Sequence, residues 1–300
     1  MAQAFTPFTR SHPASTRVYV RQQLRRLGIR IGEALADKSI LVTGSKGGVG
    51  TTTVTLNLGV QLALLTKKSV ALLDMARPFG QVSMMLDMEP RFTILDALER
   101  IDRLDEALLA SMTMRHKTGV QLLAGPLHAP MKAGQRQSVT IQALSKLIQI
   151  ADRAFDFVVV DVGVVNAAEW SLVLREAPAI LLVAEPSLLA LGMIERHMAA
   201  AAPAGVDCSR IQVVLNRWRQ NDGEMLASFT EKHARPILAR LPNDYRQLTE
   251  SLSMGMPLTG TTSNALLARY RDLAKWAAGS LGKPEGRNGE APAPVSAEVA

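Results

Sequence analysis

Between residues 38 and 282 the chain alternates short apolar runs with longer segments of helical periodicity. Apolar runs bounded by polar or turn residues are typical of strands that are buried on both faces. They predict seven strands, at residues 40–42, 69–74, 120–123, 157–160, 180–183, 211–215 and 236–241. Buried strands that alternate with helices indicate an α/β fold, a doubly wound, mostly parallel sheet with helices on both faces.

Apolar residues three or four positions apart predict helices in the segments between these strands. The predicted helices lie at residues 52–65, 79–89, 93–100, 104–112, 138–155, 187–201, 223–232 and 264–281, the second of them short and followed by a turn. Thr93 and Asp102 are the expected N-caps of two of them, because a hydroxyl or carboxylate there accepts a hydrogen bond from the first helical turn.

The two ends of the chain differ from its body and set the expected domain boundaries. Residues 1–38 contain seven basic and two acidic residues, so this end holds most of the formal net charge of +7. We expect residues 1–37 to be a basic, partly disordered extension. Its amphipathic helix over 18–35 either contacts an acidic partner or anionic lipid, or packs on the domain. Residues 38–282 form the predicted domain and residues 283–300 a disordered tail.

The composition narrows the class of protein. Hydrophobic residues make up 47% of the chain, which is enough for a buried core. The single cysteine, Cys208, excludes a disulfide framework and a cysteine-ligated metal site. No apolar stretch is long enough to span a bilayer, so we expect a cytoplasmic protein. Because the basic excess lies in the extension, specific nucleic-acid binding is not expected.

A glycine-rich loop, GSKGGVGTTT at residues 44–53, separates the first predicted strand from the first predicted helix. Glycines allow backbone conformations in which consecutive N–H groups converge on a phosphate, and the helix start adds its positive dipole end. In such loops a hydroxyl at the position of Thr52 holds Mg²⁺. The usual lysine before it is replaced by Thr51, so Lys46 is the only lysine in the loop. The alternative is a glycine-rich turn without a ligand.

This loop resembles the deviant Walker A motif of the MinD/ParA ATPases, whose early signature lysine corresponds to Lys46. A loop with threonine after its last glycine, as at Thr51, looks most like the loop of the CpaE/TadZ branch. The members of this branch are proteins of type IVc (Flp/Tad) pilus assembly. Segments similar to that branch continue in its order over about residues 38–280, among them ALLD at 71–74, FDFVVVD at 155–161, LVAEP at 182–186 and VLNR at 214–217.

The resemblance implies a P-loop NTPase that binds ATP and Mg²⁺ and forms a homodimer with nucleotide at the interface. Lys46 would be catalytic and reach the phosphates of the partner subunit. The implied nucleotide-binding residues are Lys46, Gly47, Gly48, Val49, Gly50, Thr51, Thr52 and Thr53 in the loop, with Asn216, Arg217 and Pro242 on the adenine side. An ordinary strand exit is the alternative for Asn216 and Arg217.

Two carboxylates end predicted strands near this loop. Asp161 occupies the Walker B position, where with Thr52 it would hold Mg²⁺ through water; the alternative is an aspartate that caps the next element. Asp74 is the second implied catalytic residue. The resembling ATPases carry Asp-x-Asp there, and Ala76 replaces the second aspartate. Residues 163–166 replace the proline-containing switch of the family.

These departures predict an ATP-binding protein with weak or absent hydrolysis, so an ATPase activity is expected to be impaired. The first functional hypothesis is a CpaE/TadZ-like factor that localises or assembles a pilus or secretion machine at the inner face of the cytoplasmic membrane or the cell pole. Its partners would be envelope-machine proteins, with membrane contact through the N-terminal extension. The alternatives are an active positioning ATPase for cellulose synthase, a flagellum or DNA partitioning, and a docking module with a vestigial nucleotide site.

Overall fold

The computed structural model describes residues 38–127, 141–164, 177–203, 205–223, 227, 237–260 and 264–281. Eight strands form its sheet: β1 (Ser39–Gly44), β2 (Val70–Asp74), β3 (Met114–Arg115), β4 (Gln121–Leu123), β5 (Phe157–Gly163), β6 (Ala179–Ala184), β7 (Ile211–Trp218) and β8 (Ile237–Pro242). Their order is β3-β4-β2-β5-β1-β6-β7-β8, so β1 lies between β5 and β6. Each neighbouring pair is parallel except β3 and β4. The predicted fold class, a doubly wound and mostly parallel sheet, is confirmed.

Helices lie on both faces of this sheet. They are α1 (Thr51–Thr66), α2 (Val82–Met85), α3 (Ile94–Glu99), α4 (Glu106–Met112), α5 (Ile141–Ala154), α6 (Leu188–Ala201), α7 (Tyr245–Ser253) and α8 (Ala265–Ser280). Apolar residues of α1 and α8 pack on one face, and those of α3, α4, α5 and α6 pack on the other. Strands β1, β2 and β6 are buried at every position, as expected for a sheet covered on both sides.

All seven predicted strands are present, and among the described residues the sequence pattern missed one strand and one α-helix. Strand β3 is only two residues long and pairs antiparallel to β4 at the end of the sheet. Helix α7 begins after Asp244, whose carboxylate accepts a hydrogen bond from Gln247 N at 3.0 Å, and none of its residues is buried. Only Leu248 and Leu252 of this short helix pack on the core, and both are half-buried, so its apolar pattern is too short to stand out in the sequence.

The two predicted N-caps had different outcomes. Thr93 caps α3 through a capping box, in which its own N–H donates to Asp96 Oδ2 at 2.8 Å. The prediction that Asp102 caps the next helix was wrong, because the N-cap of α4 lies three residues further along the chain. Its N-cap is Asp105, which accepts from Leu108 N at 2.8 Å.

Several sequence predictions lie outside the described residues. They are the N-terminal extension with its helix at 18–35, the tail at 283–300, most of the helix at 223–232, and the last two residues of the segment 163–166. Within the described ranges, no helix is long and apolar enough to cross a membrane.

Candidate nucleotide-binding site

The glycine-rich loop leaves the carboxyl end of β1 and is fixed at its first residue. Ser45 N donates a hydrogen bond to Val183 O in β6 at 2.8 Å. His197 of α6 lies with Nε2 3.0 Å from Ser45 O, and its side chain is buried. The start of the loop is therefore held by the neighbouring strand and by the helix that follows that strand.

Glycine is required at the other end of the loop, where α1 begins. Gly50 is the N-cap with φ of 91°, and Gly48 has φ of 80°, both in the left-handed region that glycine favours. A Cβ on Gly50 would overlap Asn216 Nδ2, which donates to Val49 O at 2.8 Å. Asn216 thus braces the loop from the end of β7. Its predicted contact with adenine stays a prediction.

Thr52 and Asp161 meet beside the first turn of α1. Asp161 lies near the carboxyl end of β5, and its Oδ1 accepts a hydrogen bond from Gly163 N at 2.9 Å. Burial raises the pKa of Asp161 to about 6, while the Thr52 hydroxyl lowers it and the nearby charge of Asp74 raises it. Within the part of the chain that the structure describes, Asp161 Oδ2 is buried and has no hydrogen-bond partner.

This arrangement fits a divalent cation. A buried carboxylate oxygen without a donor is energetically unfavourable unless a cation or proton compensates its charge. Mg²⁺ takes hard oxygen ligands and is usually bound through one or two carboxylates, water and substrate phosphates. Asp161 and the Thr52 hydroxyl provide such oxygens at the amino end of α1, where the helix dipole favours a phosphate.

Asp74 lies next to Asp161 in the register of β2 and β5, yet its contacts are different. Its carboxylate is fully buried and accepts backbone hydrogen bonds from Gln81 N at 2.8 Å, Val82 N at 3.0 Å and Ala76 N at 3.1 Å. Burial raises the pKa of Asp74, and these backbone donors oppose that effect. Asp74 therefore holds the segment between β2 and α2, and its predicted catalytic role stays a prediction.

Two glycines close around this carboxylate. A Cβ on Gly125 would lie 2.6 Å from the Cα of Gly80, and a Cβ on Gly80 would lie 2.6 Å from Asp74 Oδ2. The segment after β4 and the segment before α2 can therefore touch only because both residues lack a side chain.

Lys46, the only loop lysine, points to a carboxylate that sequence reasoning missed. Its Nζ lies 2.6 Å from Glu185 Oε1, and Arg217 Nη1 lies 3.4 Å from Glu185 Oε2. Lys46 and Arg217 hold the pKa of Glu185 below its usual range, with Lys46 the larger cause. The available signal was an acidic residue directly after an apolar strand, at the edge of the sheet where ligands gather.

The remaining predicted site residues lie in the loop, in the first turn of α1 or at the end of β8. Thr51 is 8% exposed, and a Cβ on Gly44 would lie 2.5 Å from its hydroxyl. Gly47 has open space where a side chain would be. Thr53 O accepts from Asn57 Nδ2 at 2.9 Å inside α1. Pro242 ends β8 and pairs with Trp218 of β7, so it lies at the same edge as Asn216.

Fold and loop together define a phosphate-loop nucleotide-binding protein. Residues 40–258 match the family described as CbiA, the CobQ/CobB/MinD/ParA nucleotide binding domain, and the chain belongs to this family. Among curated proteins, the septum site-determining protein MinD of Thermotoga maritima is 26% identical over 243 residues, covering 79% of this chain and 86% of that protein.

Solved structures give the same result. A ParA family ATPase from Chlorobium tepidum TLS superposes with a TM-score of 0.72 and 25% identity, over 80% of this chain and 99% of that one. MinD from Pyrococcus horikoshii, solved in complex with Mg-ADP, has a TM-score of 0.64 and 20% identity, over 79% and 94% of the two chains. These similarities establish the MinD/ParA family and fold, but not the CpaE/TadZ branch.

Proposed function

We propose that this protein binds Mg-ATP at the loop of residues 44–53 and dimerises with the nucleotide at the interface. It hydrolyses the nucleotide slowly, and its nucleotide state controls the position or assembly of a machine of the cell envelope. A pilus or related secretion machine is the preferred cargo, because the loop and the segments after it resemble the CpaE/TadZ branch. The protein would act in the cytoplasm, at the inner face of the membrane or the cell pole.

One observation carries the binding part of this proposal. Asp161 Oδ2 is buried without a hydrogen-bond partner among the described residues, and the Thr52 hydroxyl is near the same carboxylate. A site that had lost its ligand would have no reason to keep an unsatisfied buried carboxylate, which destabilises the fold. This argues against a vestigial nucleotide site. Mg²⁺ would supply charge compensation for the β and γ phosphates.

Slow hydrolysis follows from the groups that replace charged residues of the family pattern. Thr51 is neutral and nearly buried, so it brings no positive charge to the phosphates. Ala76 cannot orient a water molecule. Removing one electrostatic element of this kind lowers a rate by about 10²–10³-fold, and two such losses need not multiply.

An active positioning ATPase with another cargo is the second candidate, and the family comparison favours it. The curated relative from Thermotoga maritima is a septum site-determining protein, and the similar structure from Chlorobium tepidum is a ParA family ATPase. The two candidates differ in their turnover and in their cargo, and both require nucleotide binding at the same loop.

The test is equilibrium binding of ATP and ADP with Mg²⁺, with oligomeric state and phosphate release followed in the same samples. Tight ATP binding, dimerisation and slow release are expected. Fast release would move the assignment to the active positioning ATPase, and no binding would contradict both. Lys46→Ala should weaken ATP-dependent dimerisation more than it lowers the stability of the monomer. A urea titration measures that stability.

A separate test addresses the N-terminal extension. Deletion of residues 1–31 should leave nucleotide binding unchanged and weaken association with membranes or envelope partners, measured by co-sedimentation with anionic vesicles and by localisation in cells. A truncated protein that localises normally would contradict a targeting role for the extension.

A further inference from the structure

Glu185 bridges two cations that come from different segments of the chain. Its Oε1 lies 2.6 Å from Lys46 Nζ in the glycine-rich loop, and its Oε2 lies 3.4 Å from Arg217 Nη1 at the end of β7. Each carboxylate oxygen therefore serves one cation. The side chains of Lys46 and Glu185 are only 27% and 22% exposed, so the pair is partly shielded from solvent.

The acidic member of this group is held firmly by its own segment. Ser187 N donates to the Glu185 carbonyl oxygen at 2.8 Å, and Ser187 Oγ lies 3.4 Å from Glu185 Oε1. Ser187 in turn caps α6 by accepting a hydrogen bond from Ala190 N at 3.2 Å. The backbone of Glu185 is thus fixed between β6 and α6, and Ser187 Oγ adds a weak contact to its carboxylate.

Lys46, by contrast, lies between Ser45, which is held by hydrogen bonds, and Gly47, which has no neighbouring atoms around the position of a side chain. Ser45 is tied to Val183 and faces His197, whereas Gly47 and Gly48 have open space around the position of a side chain. The lysine side chain is long and flexible and carries a compact point charge. It can pair closely with one anion at a time, either the carboxylate of its own subunit or a phosphate elsewhere.

We infer that Glu185 is a positioning residue that holds the Lys46 ammonium against its own subunit until a nucleotide phosphate competes for it. This inference rests on the proposed function, because it assumes that Lys46 acts on the phosphates of a nucleotide-bound dimer. Removing the carboxylate abolishes the ion pair that Lys46 must otherwise break before it contacts a phosphate. The free energy needed to form the nucleotide-bound dimer is then lower. The contact with Arg217 is longer and is not required for this effect.

The experiment measures the ATP concentration that produces half-maximal dimerisation, at fixed protein and Mg²⁺ concentrations. Glu185→Gln should lower this concentration about fivefold, the change expected for loss of one modest ion pair. The shift should disappear in a Lys46→Ala background and persist in an Arg217→Gln background. Glu185→Asp, which keeps the charge, should restore behaviour close to the wild type.

Glu106→Gln is the matched control. Glu106 pairs with Arg153 at 2.5 Å in an exposed contact between α4 and α5, so the substitution removes a carboxylate from an ion pair and changes the net charge equally. It should leave the dimerisation midpoint unchanged. An equal shift in this control would assign the effect to net charge and overturn the inference.

The remaining outcomes separate this inference from the proposed function. If the wild type dimerises with ATP and Glu185→Gln does not shift the midpoint, or raises it, the role of Glu185 is wrong and the proposed function stands. If Glu185→Gln shifts the midpoint equally with and without Lys46, the carboxylate does not act through the lysine. If the wild type binds no ATP, the proposed function fails, and the inference fails with it.

Discussion

Asp74 and Asp161 are neighbours in the register of β2 and β5, and they illustrate two uses of a buried carboxylate. Asp74 accepts hydrogen bonds from three backbone N–H groups of the segment that follows it. Asp161 accepts one from Gly163 N, and its second oxygen has no partner in the described part of the chain. Both carboxylates are at the sheet edge where α/β proteins bind ligands.

The difference indicates which of the two is available to a ligand. A carboxylate whose oxygens are satisfied by the backbone shapes the fold, and moving it requires the surrounding segment to move. A carboxylate with an unsatisfied oxygen is stabilised when a cation arrives. We therefore attribute the stability of the segment between β2 and α2 to Asp74, and we propose that the cation site is at Asp161.

Replacement of Asp74 should have the largest effect on folding. Asp74→Ala leaves the N–H groups of Ala76, Gln81 and Val82 without their acceptor, the last of them buried, and should destabilise the protein by about 3–5 kcal/mol. Urea or thermal unfolding measures the loss. A destabilisation below about 1 kcal/mol would mean that water replaces the carboxylate at these N–H groups, and the contrast with Asp161 would be lost.

The pH dependence of stability should follow Asp161. Its pKa is about 6 in the folded protein, against about 4 in an unfolded chain, so the folded state binds the extra proton between these values. Its contribution to stability is present below pH 4 and is lost as the pH rises to about 6, by about 3 kcal/mol. Unfolding of wild type and Asp161→Asn without Mg²⁺ should show a flatter profile for the variant. Parallel profiles would contradict the prediction.

Replacement of Asp161 should weaken cation binding without loss of the fold. Asp161→Asn should lower the affinity for the Mg²⁺–nucleotide complex by about 10–100-fold, since an amide cannot supply the negative charge. At pH 7 its stability should equal or exceed that of the wild type, because a buried charge is removed. Calorimetric titration with Mg-ATP, together with a urea titration, gives both values. A destabilised variant would show that Asp161 is a structural residue like Asp74.

Replacement of Thr52 should have the smallest effect. Thr52→Val removes the hydroxyl that lowers the pKa of Asp161 and should weaken binding of Mg-ATP by about fivefold. Thr52→Ser keeps the hydroxyl and should bind as the wild type does. The same titration measures both variants, and equal affinities for Thr52→Val and Thr52→Ser would exclude the hydroxyl from the cation site.

Much of the fold could be predicted because its strands are buried on both faces. The apolar run that precedes Asp74 in β2 and the run Ala179–Ala184 can both be recognised in the sequence. The two-residue strand Met114–Arg115 and the unburied helix Tyr245–Ser253 carry no comparable pattern. Short edge elements therefore depend on contacts that a linear sequence does not display.

The candidate site was predictable only in part, for a related reason. The loop and the strand-end aspartates are local signals, whereas the order of the strands decides which ends meet. Glu185 faces Lys46 because β6 lies next to β1, and no pattern within β6 reveals that neighbour. Likewise, the satisfied state of Asp74 depends on the path of the chain from Ala76 to Val82, which returns its N–H groups to the carboxylate.

The most direct test of the account compares the Mg²⁺ dependence of ATP binding in wild type, Asp161→Asn and Asp74→Asn. The two variants carry the same chemical change at neighbouring positions of β5 and β2. We predict that Mg²⁺ strengthens ATP binding to the wild type and to folded Asp74→Asn, and has little effect on Asp161→Asn. Retained Mg²⁺ dependence in Asp161→Asn, or its loss in folded Asp74→Asn, would contradict the assignment of the cation site to Asp161.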